Sequence, residues 1–160
     1  MNQSESIAKL ATALSIVQGK LTYAKKDSAN PFFKSKYADL ESVWDACRDL
    51  LAANGLSVIQ LPGETIVNTV VANEKETVIA EMSLTTVLAH NSGEWISQQM
   101  SLPMSKIDAQ GAGSALSYMR RYALAAVVGV VQADDDGNAA SAPKQVKSSQ
   151  SMKSVSEDIL

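Results

Sequence analysis

A segment long enough for one helix, residues 110–130, constrains the fold more than any other part of the chain. Its apolar residues recur at steps of three and four, which predicts an amphipathic helix with a single apolar face. That face consists of Ala112, Ala115, Leu116, Met119, Tyr122, Ala123, Ala126, Val127 and Val130. Arg121 lies opposite it and Arg120 on its flank. Leu124 falls outside the stripe, and an exposed leucine there would suit contact with a neighbouring subunit.

Two shorter helical patterns precede this segment. The first spans residues 7–19, with Ser4 or Ser6 as its candidate N-cap. The second spans residues 38–54 and stops at Gly55, because glycine suits a left-handed helix end. Its outer face is predicted to be a solvated surface and consists of Glu41, Asp45, Arg48 and Asp49.

After Gly55 the hydrophobic period changes from that of a helix to that of a strand. Strands are predicted over residues 56–61, 65–72, 77–89 and 94–104, with an irregular connection over residues 63–76. The third strand should place Val78, Ala80, Met82, Leu84, Thr86 and Leu88 on one side. Asn91-Ser92-Gly93 is a hairpin turn signal. The order helix, helix, three or four strands, helix predicts an α+β fold in which an antiparallel β-meander packs with helices.

Composition limits the chain to one ordinary hydrophobic core. Its 160 residues, 46% of them hydrophobic, suit one domain over residues 1–132, followed by a disordered polar tail over residues 133–160. One cysteine and one histidine exclude an internal disulfide and a histidine-based metal cage. The sequence lacks a secretory signal and a run of about 18 apolar residues. We therefore expect a cytoplasmic protein with no membrane partner.

The formal net charge of −3 excludes a protein that coats nucleic acid with its whole surface, so phosphate binding would need local basic patches. Two such patches exist. Residues 20–36 carry five lysines against the single acid Asp27, and residues 106–122 carry three bases against Asp108.

The loop over residues 30–37 mixes lysines with aromatic residues. Unpaired bases stack on aromatic rings while ammonium groups follow the phosphates, so this mixture suits a single strand. Lys34, Lys36 and Tyr37 are the candidate contacts, and the further candidates are Lys25, Lys26 and Phe33. The alternative is that the phenylalanines anchor the loop in the core and Tyr37 staples the start of the second helix.

The third helix offers a second set of candidates. Arg120 and Arg121 can bind phosphates in a fork and stack on bases beside Tyr118, with Lys106 as a further candidate. The alternative is salt bridges to the acidic second helix. Gly111 and Gly113 suit either phosphate contact at a helix start or close packing. Residues 111–116 lack the lysine and the third glycine of nucleotide-binding loops, so no ATP site is expected.

Over approximately residues 7–138 the chain resembles the ERF (essential recombination function) family of phage single-strand annealing proteins. The resemblance depends on the motifs Asn30-Pro31, Lys34-Ser35-Lys36-Tyr37-Ala38-Asp39-Leu40, Asn54-Gly55-Leu56, Gly113-Ser114-Ala115, Arg120-Arg121-Tyr122 and Asp136-Gly137-Asn138. It implies an ATP-independent phage protein in the host cell, with a fold similar to the Rad-fifty-two type of annealing protein. Subunits of such proteins assemble into rings or arcs and hold single-stranded DNA along an outer basic groove.

Annealing of this kind requires no bond-making residue, so neither enzymatic activity nor a cofactor is expected. Neutralising phosphates lowers the repulsion between two strands, and holding them together raises their effective concentration. Two alternatives stay open. A metal-dependent nuclease would use Asp134, Asp135 and Asp136, although a solvated terminus explains them as simply. A protein-interaction adaptor would use apolar surface and the tail end at residues 156–160, which would also suit docking to host or phage recombination proteins.

Overall fold

Three helices pack on one face of an antiparallel sheet, which confirms the predicted α+β class. The computed structural model describes residues 1–24, 28–29, 36–72 and 75–131, with residues 28–29, 36–37, 71–72 and 75 described by their main chain alone. The elements are β1 (Asn2–Gln3), α1 (Ala8–Gln18), β2 (Ser28–Ala29), β3 (Lys36–Tyr37), α2 (Leu40–Ala53), β4 (Leu56–Ala72), β5 (Lys75–His90), β6 (Trp95–Pro103) and α3 (Ala109–Val128). No helix within these ranges is long and apolar enough to cross a membrane. The tail over residues 133–160 lies outside them.

The main sheet has the order β1-β6-β5-β4 with antiparallel neighbours, and β2 and β3 form a separate two-stranded sheet. The two strands predicted over residues 56–61 and 65–72 are in fact one strand, so the predicted irregular connection is wrong. β5 pairs with β4 from Leu56 to Ala72, and a bulge between Pro62 and Thr65 absorbs the break in the pattern. Gly63 lies at this bulge and leaves room for the Ser83 hydroxyl, which a Cβ at this position would displace.

The helix-facing side of β5 follows the predicted alternation over most of its length. Ala80, Leu84, Thr86 and Leu88 are buried. Val78, predicted on the same side, is 52% exposed. The reason is that β6 pairs with β5 only as far as Glu81, so Val78 lies beyond the three-stranded part of the sheet.

Helix α2 begins and ends as its sequence predicts. The Asp39 carboxylate accepts a hydrogen bond from the Ser42 amide at 2.9 Å, and Gly55 follows the helix with a φ of 67°. The serine cap predicted for α1 is only partly correct, since the residue at the N-cap position is Ile7. The Ser6 hydroxyl accepts a long hydrogen bond of 3.3 Å from the Ala8 amide, and the Glu94 carboxylate accepts a shorter one of 2.8 Å from the Leu10 amide. Glu94 comes from the β5–β6 turn, which local sequence signals cannot reveal.

The Glu94 carboxylate also accepts a hydrogen bond from the Ser6 hydroxyl, at 3.0 Å. Hydrogen bonding from the Leu10 amide lowers the pKa of this carboxyl below its usual value, because the amide stabilises the ionised form. A negative charge at the first turn is also favoured by the positive end of the helix dipole. The β5–β6 turn is thereby fixed to the start of α1.

Helix α3 buries different sides in its two halves, so the single apolar face predicted for it is only partly correct. The buried residues of the first half are Gly111, Ala115 and Met119, and those of the second half are Leu124, Ala125 and Val128. Leu124, expected to be exposed, is fully buried in the core with Val43 and Leu88. The change occurs because α3 lies on the sheet and also contacts α2, which covers the side opposite the predicted stripe.

Part of the predicted stripe borders a hollow instead of a filled core. Tyr122, Ala123 and Val127 line an apolar space of about 470 Å³ between α3 and the strands β5 and β6. Ala126, from the same stripe, is exposed. One side of the second half of α3 is therefore packed in the core, whereas the other side borders an apolar hollow.

Candidate nucleic-acid interface

The start of α3 is held by the loop that contains Lys106. The Asp108 carboxylate accepts a hydrogen bond from the Gly111 amide at 2.7 Å and caps the helix. A Cβ on Gly111 would overlap the main-chain carbonyl of Lys106, so this glycine permits close packing of the loop. The Gly111 amide is thus already engaged by a carboxylate, which favours the packing interpretation over phosphate contact. A Cβ on Gly113 would meet open space.

Two tyrosines and one arginine form a cluster in the middle of α3. The Tyr118 hydroxyl donates to the Tyr122 hydroxyl at 3.1 Å, and the ring centroids lie 4.4 Å apart. The guanidinium carbon of Arg121 lies 5.2 Å from the Tyr118 centroid and 4.7 Å from the Tyr122 centroid. The hydrogen bond to Tyr122 raises the pKa of the Tyr118 phenol above its ordinary value, because it stabilises the protonated form. Because Tyr118 is 50% exposed, its ring is accessible for stacking with a base.

Arg121 brings the two basic segments of the sequence together. Its Nη1 donates to the carbonyl of Ala38 at 3.4 Å, and Ala38 follows directly after the strand that contains Lys36 and Tyr37. The main chain of the first basic segment therefore ends beside α3. The sequence predicted that Arg121 lies on the side of α3 opposite the apolar stripe. The residue is half-buried because the start of α2 covers that side.

Arg120 is exposed and is oriented by a residue that the sequence did not single out. The Gln60 amide nitrogen donates to the Arg120 carbonyl at 2.9 Å, while Arg120 Nε donates to the Gln60 side-chain oxygen at 3.4 Å. Gln60 lies on the helix-facing side of β4, opposite Thr86. A polar residue at an inward position of a strand is the signal that would have identified it.

The sequence left open that the arginines of α3 form salt bridges with the acidic helix α2, and Arg120 forms none with the residues described. Among the residues described, no carboxylate lies within salt-bridge distance of Arg120, whereas Arg48 of α2 pairs with Asp45 at 3.1 Å and with Asp49 at 3.8 Å. The acidic face of α2 is therefore partly neutralised by its own arginine and exposed to solvent, as predicted.

The loop that contains Lys106 adjoins the tyrosine cluster. A hollow of about 240 Å³ between the end of β6 and α3 is lined by Ser105, Ser114 and Tyr118, among others. Lys106 itself is exposed. Two hydroxyls and an accessible ring thus lie along one side of the first half of α3, next to the loop that contains the exposed Lys106.

Several candidates lie outside the described residues, namely Lys25, Lys26, Phe33, Lys34 and Asp134, Asp135 and Asp136. The side chains of Lys36 and Tyr37 are likewise not described, so their contacts stay predictions. Within the ranges that the structure covers, no group of three histidine, cysteine or acidic side chains is placed to hold a metal ion.

Comparison with known proteins agrees with the motifs. No curated protein and no solved structure matches the chain. The sequence model of the ERF superfamily matches residues 10–159, which includes every basic candidate and all three helices apart from the first residues of α1. Since this match spans nearly the whole sequence, the chain belongs to the ERF superfamily.

Proposed function

We propose that this protein binds single-stranded DNA and anneals complementary strands in phage recombination, without ATP and without an enzymatic step. Family membership is consistent with a role in recombination. The observation that carries the proposal is the Arg121–Ala38 contact, which places the end of one basic segment against the helix that contains the other. On this basis we infer that the two patches, separated in sequence, contribute to one cationic track on a chain whose net charge is −3.

The track combines the two chemistries that unpaired DNA requires. We assign Arg120 and Lys106 to phosphates, together with Lys34, Lys36, Lys25 and Lys26 of the first segment. Tyr118 provides an exposed ring for a base, and Tyr37 and Phe33 are the corresponding candidates of the first segment. Arg121 holds the track together and orients both tyrosine rings, so its role is as much structural as electrostatic.

Such a track anneals strands by physical means alone. Cations on the protein displace counterions from the phosphates and reduce the repulsion between two strands. Contacts to the phosphates of the DNA carry no sequence information and leave the bases available for pairing. We further propose a Rad-fifty-two-like arrangement in a ring or arc, in which neighbouring tracks hold strands at high effective concentration. Recombination proteins of the phage or host are the proposed partners of the tail, in the cytoplasm of the host cell.

Annealing of complementary labelled oligonucleotides tests the proposal. We expect faster pairing with the protein than without it, equally in the absence and presence of ATP, and intact strands after incubation with magnesium. Shortened strands would instead identify a nuclease. Pairing at the spontaneous rate, with no shift of the oligonucleotide at any salt concentration, would indicate an adaptor that does not bind DNA.

A further inference from the structure

Both outer edges of the main sheet are open over most of their length in the part of the chain that the structure describes. β1 covers only Ile96 and Ser97 of β6, and β4 is the last strand on the other side. Open strand edges invite pairing with another chain, and proteins usually protect them with charged residues. β6 carries no charged residue, and β4 carries only Glu64. Neither edge is protected in this way.

The β4–β5 pair also extends beyond the rest of the sheet. β6 stops pairing with β5 at Glu81, so residues 65–72 and 75–80 form a two-stranded ribbon. Such a ribbon is marginally stable in water by itself. Val67 and Val78 on its helix-facing side are 56% and 52% exposed, and Ile66 and Val70 on its other side are 56% and 45% exposed. The ribbon therefore presents apolar side chains on both faces.

The open edge of β6 adjoins the apolar hollow described above. Met100 and Ile96 of β6 and Val127 of α3 line this space of about 470 Å³. A strand added beside residues 98–103 would place alternate side chains on the helix-facing side, next to the hollow. Valine and threonine side chains such as those of residues 67 and 69 suit that position.

We propose that the β4 ribbon of one copy of this protein adds to the β6 edge of a second copy. In this arrangement the helices of both copies lie on the same side of the joined sheet. Because β4 and β6 are both antiparallel to β5, the added β4 then pairs with β6 in parallel. The two surfaces differ, so each copy can accept one neighbour and donate to another, and the contact propagates into a ring or an open array. DNA is disfavoured at the ribbon because the ribbon and its flanking residues carry Glu64, Glu76 and Glu81 against the single base Lys75, which gives a net negative charge that repels phosphates.

The contact between the β4 ribbon and the β6 edge rests on the proposed function, in which copies of the protein assemble into a ring or arc. It can be tested without DNA. Light scattering would measure the mass of the full chain and of two blocked variants. Ile66→Lys with Val70→Lys places charges on the ribbon, and Gln99→Glu with Ser101→Glu places charges on the outward face of β6. Ala52→Lys, at an exposed position of α2, is the matched control. Circular dichroism would establish that each variant keeps its fold.

We expect an assembly several times the subunit mass of 17.0 kDa for the wild type and the control, and a fall toward 17.0 kDa for each blocked variant. Mixing the two blocked variants should restore the assembly. In the mixture, the lysine-bearing ribbon of one variant meets the glutamate-bearing β6 of the other, and the next contact joins an unchanged ribbon to an unchanged β6. A monomeric wild type, or folded blocked variants of unchanged mass, would overturn the proposal. Failure of the mixture to assemble would overturn its head-to-tail geometry. Binding of an oligonucleotide by the monomeric variants reports separately on the DNA-binding proposal.

Discussion

The Arg121 guanidinium donates a hydrogen bond to the carbonyl of Ala38 at 3.4 Å, across 83 positions of the sequence. This contact fixes the middle of α3 to the start of α2. It also places Arg121 where its charge lies over two tyrosine rings. The same residue therefore serves the stability of the fold and the geometry of the proposed DNA track.

Replacing Arg121 with alanine is expected to lower the free energy of unfolding by about 1–2 kcal/mol, since it removes a hydrogen bond and two cation–π contacts. Arg120→Ala is the matched control, because this side chain is exposed, and its effect should stay within about 0.5 kcal/mol. Urea unfolding followed by circular dichroism measures both variants. Equal effects of the two replacements would contradict the structural role of Arg121.

The two glycines of α3 should respond in opposite directions. Gly111→Ala is expected to cost about 1–3 kcal/mol, because the added methyl group meets the Lys106 carbonyl. Gly113→Ala should stabilise the protein by about 0.5–1 kcal/mol, since alanine favours the helix and the position is open. Thermal unfolding of both variants decides between packing and phosphate contact at Gly111. A harmless Gly111→Ala that weakened only oligonucleotide binding would favour phosphate contact.

The exposed ring of Tyr118 is expected to stack on a base. Tyr118→Ala should weaken oligonucleotide binding by about 1–3 kcal/mol, whereas Tyr118→Phe should preserve it because the ring remains. Fluorescence anisotropy with a labelled single strand measures both. If phenylalanine lost as much affinity as alanine, the hydroxyl and its bond to Tyr122 would be the important feature instead.

The Glu94 carboxylate links the stability of the fold to pH. Its pKa is lowered in the folded protein, so its contribution is present at neutral pH and is lost as the pH falls through that lowered pKa. Glu94→Gln should unfold at a lower temperature than the wild type at pH 7, and the difference should shrink in acid. Melting curves across this range test the assignment, and a difference that grew in acid would contradict it.

Much of the fold could be predicted because its signals are local. The Asp39 cap and Gly55 mark the ends of α2, and the turn before Gly93 joins two alternating strands. The errors arose where a distant partner decided the structure. Pairing with β5 makes one long strand of two short strand patterns, and Glu94 caps the start of α1 together with the predicted Ser6. Helix α2 covers the side of α3 that contains Leu124.

In the candidate site, too, local signals were predictable and contacts with distant residues were not. Periodicity placed Arg120 on the flank of the apolar stripe and left Tyr118 outside the stripe, and both residues are exposed in the structure. It could not predict that Arg121 would be half-buried, because the covering residue Ala38 comes from another helix start. Gln60 was not predicted for a similar reason. Its hydrogen bonds with Arg120 depend on how α3 packs on β4, which the sequence does not reveal.

The salt dependence of single-strand binding tests the cationic track most directly. For the wild type, the logarithm of the affinity should fall linearly with the logarithm of the salt concentration, by roughly 0.7 per phosphate contact. Arg120→Ala should make this slope shallower by about 0.7 while leaving the unfolding curve unchanged. An unchanged slope in Arg120→Ala, or a wild-type affinity that ignores salt, would contradict the account.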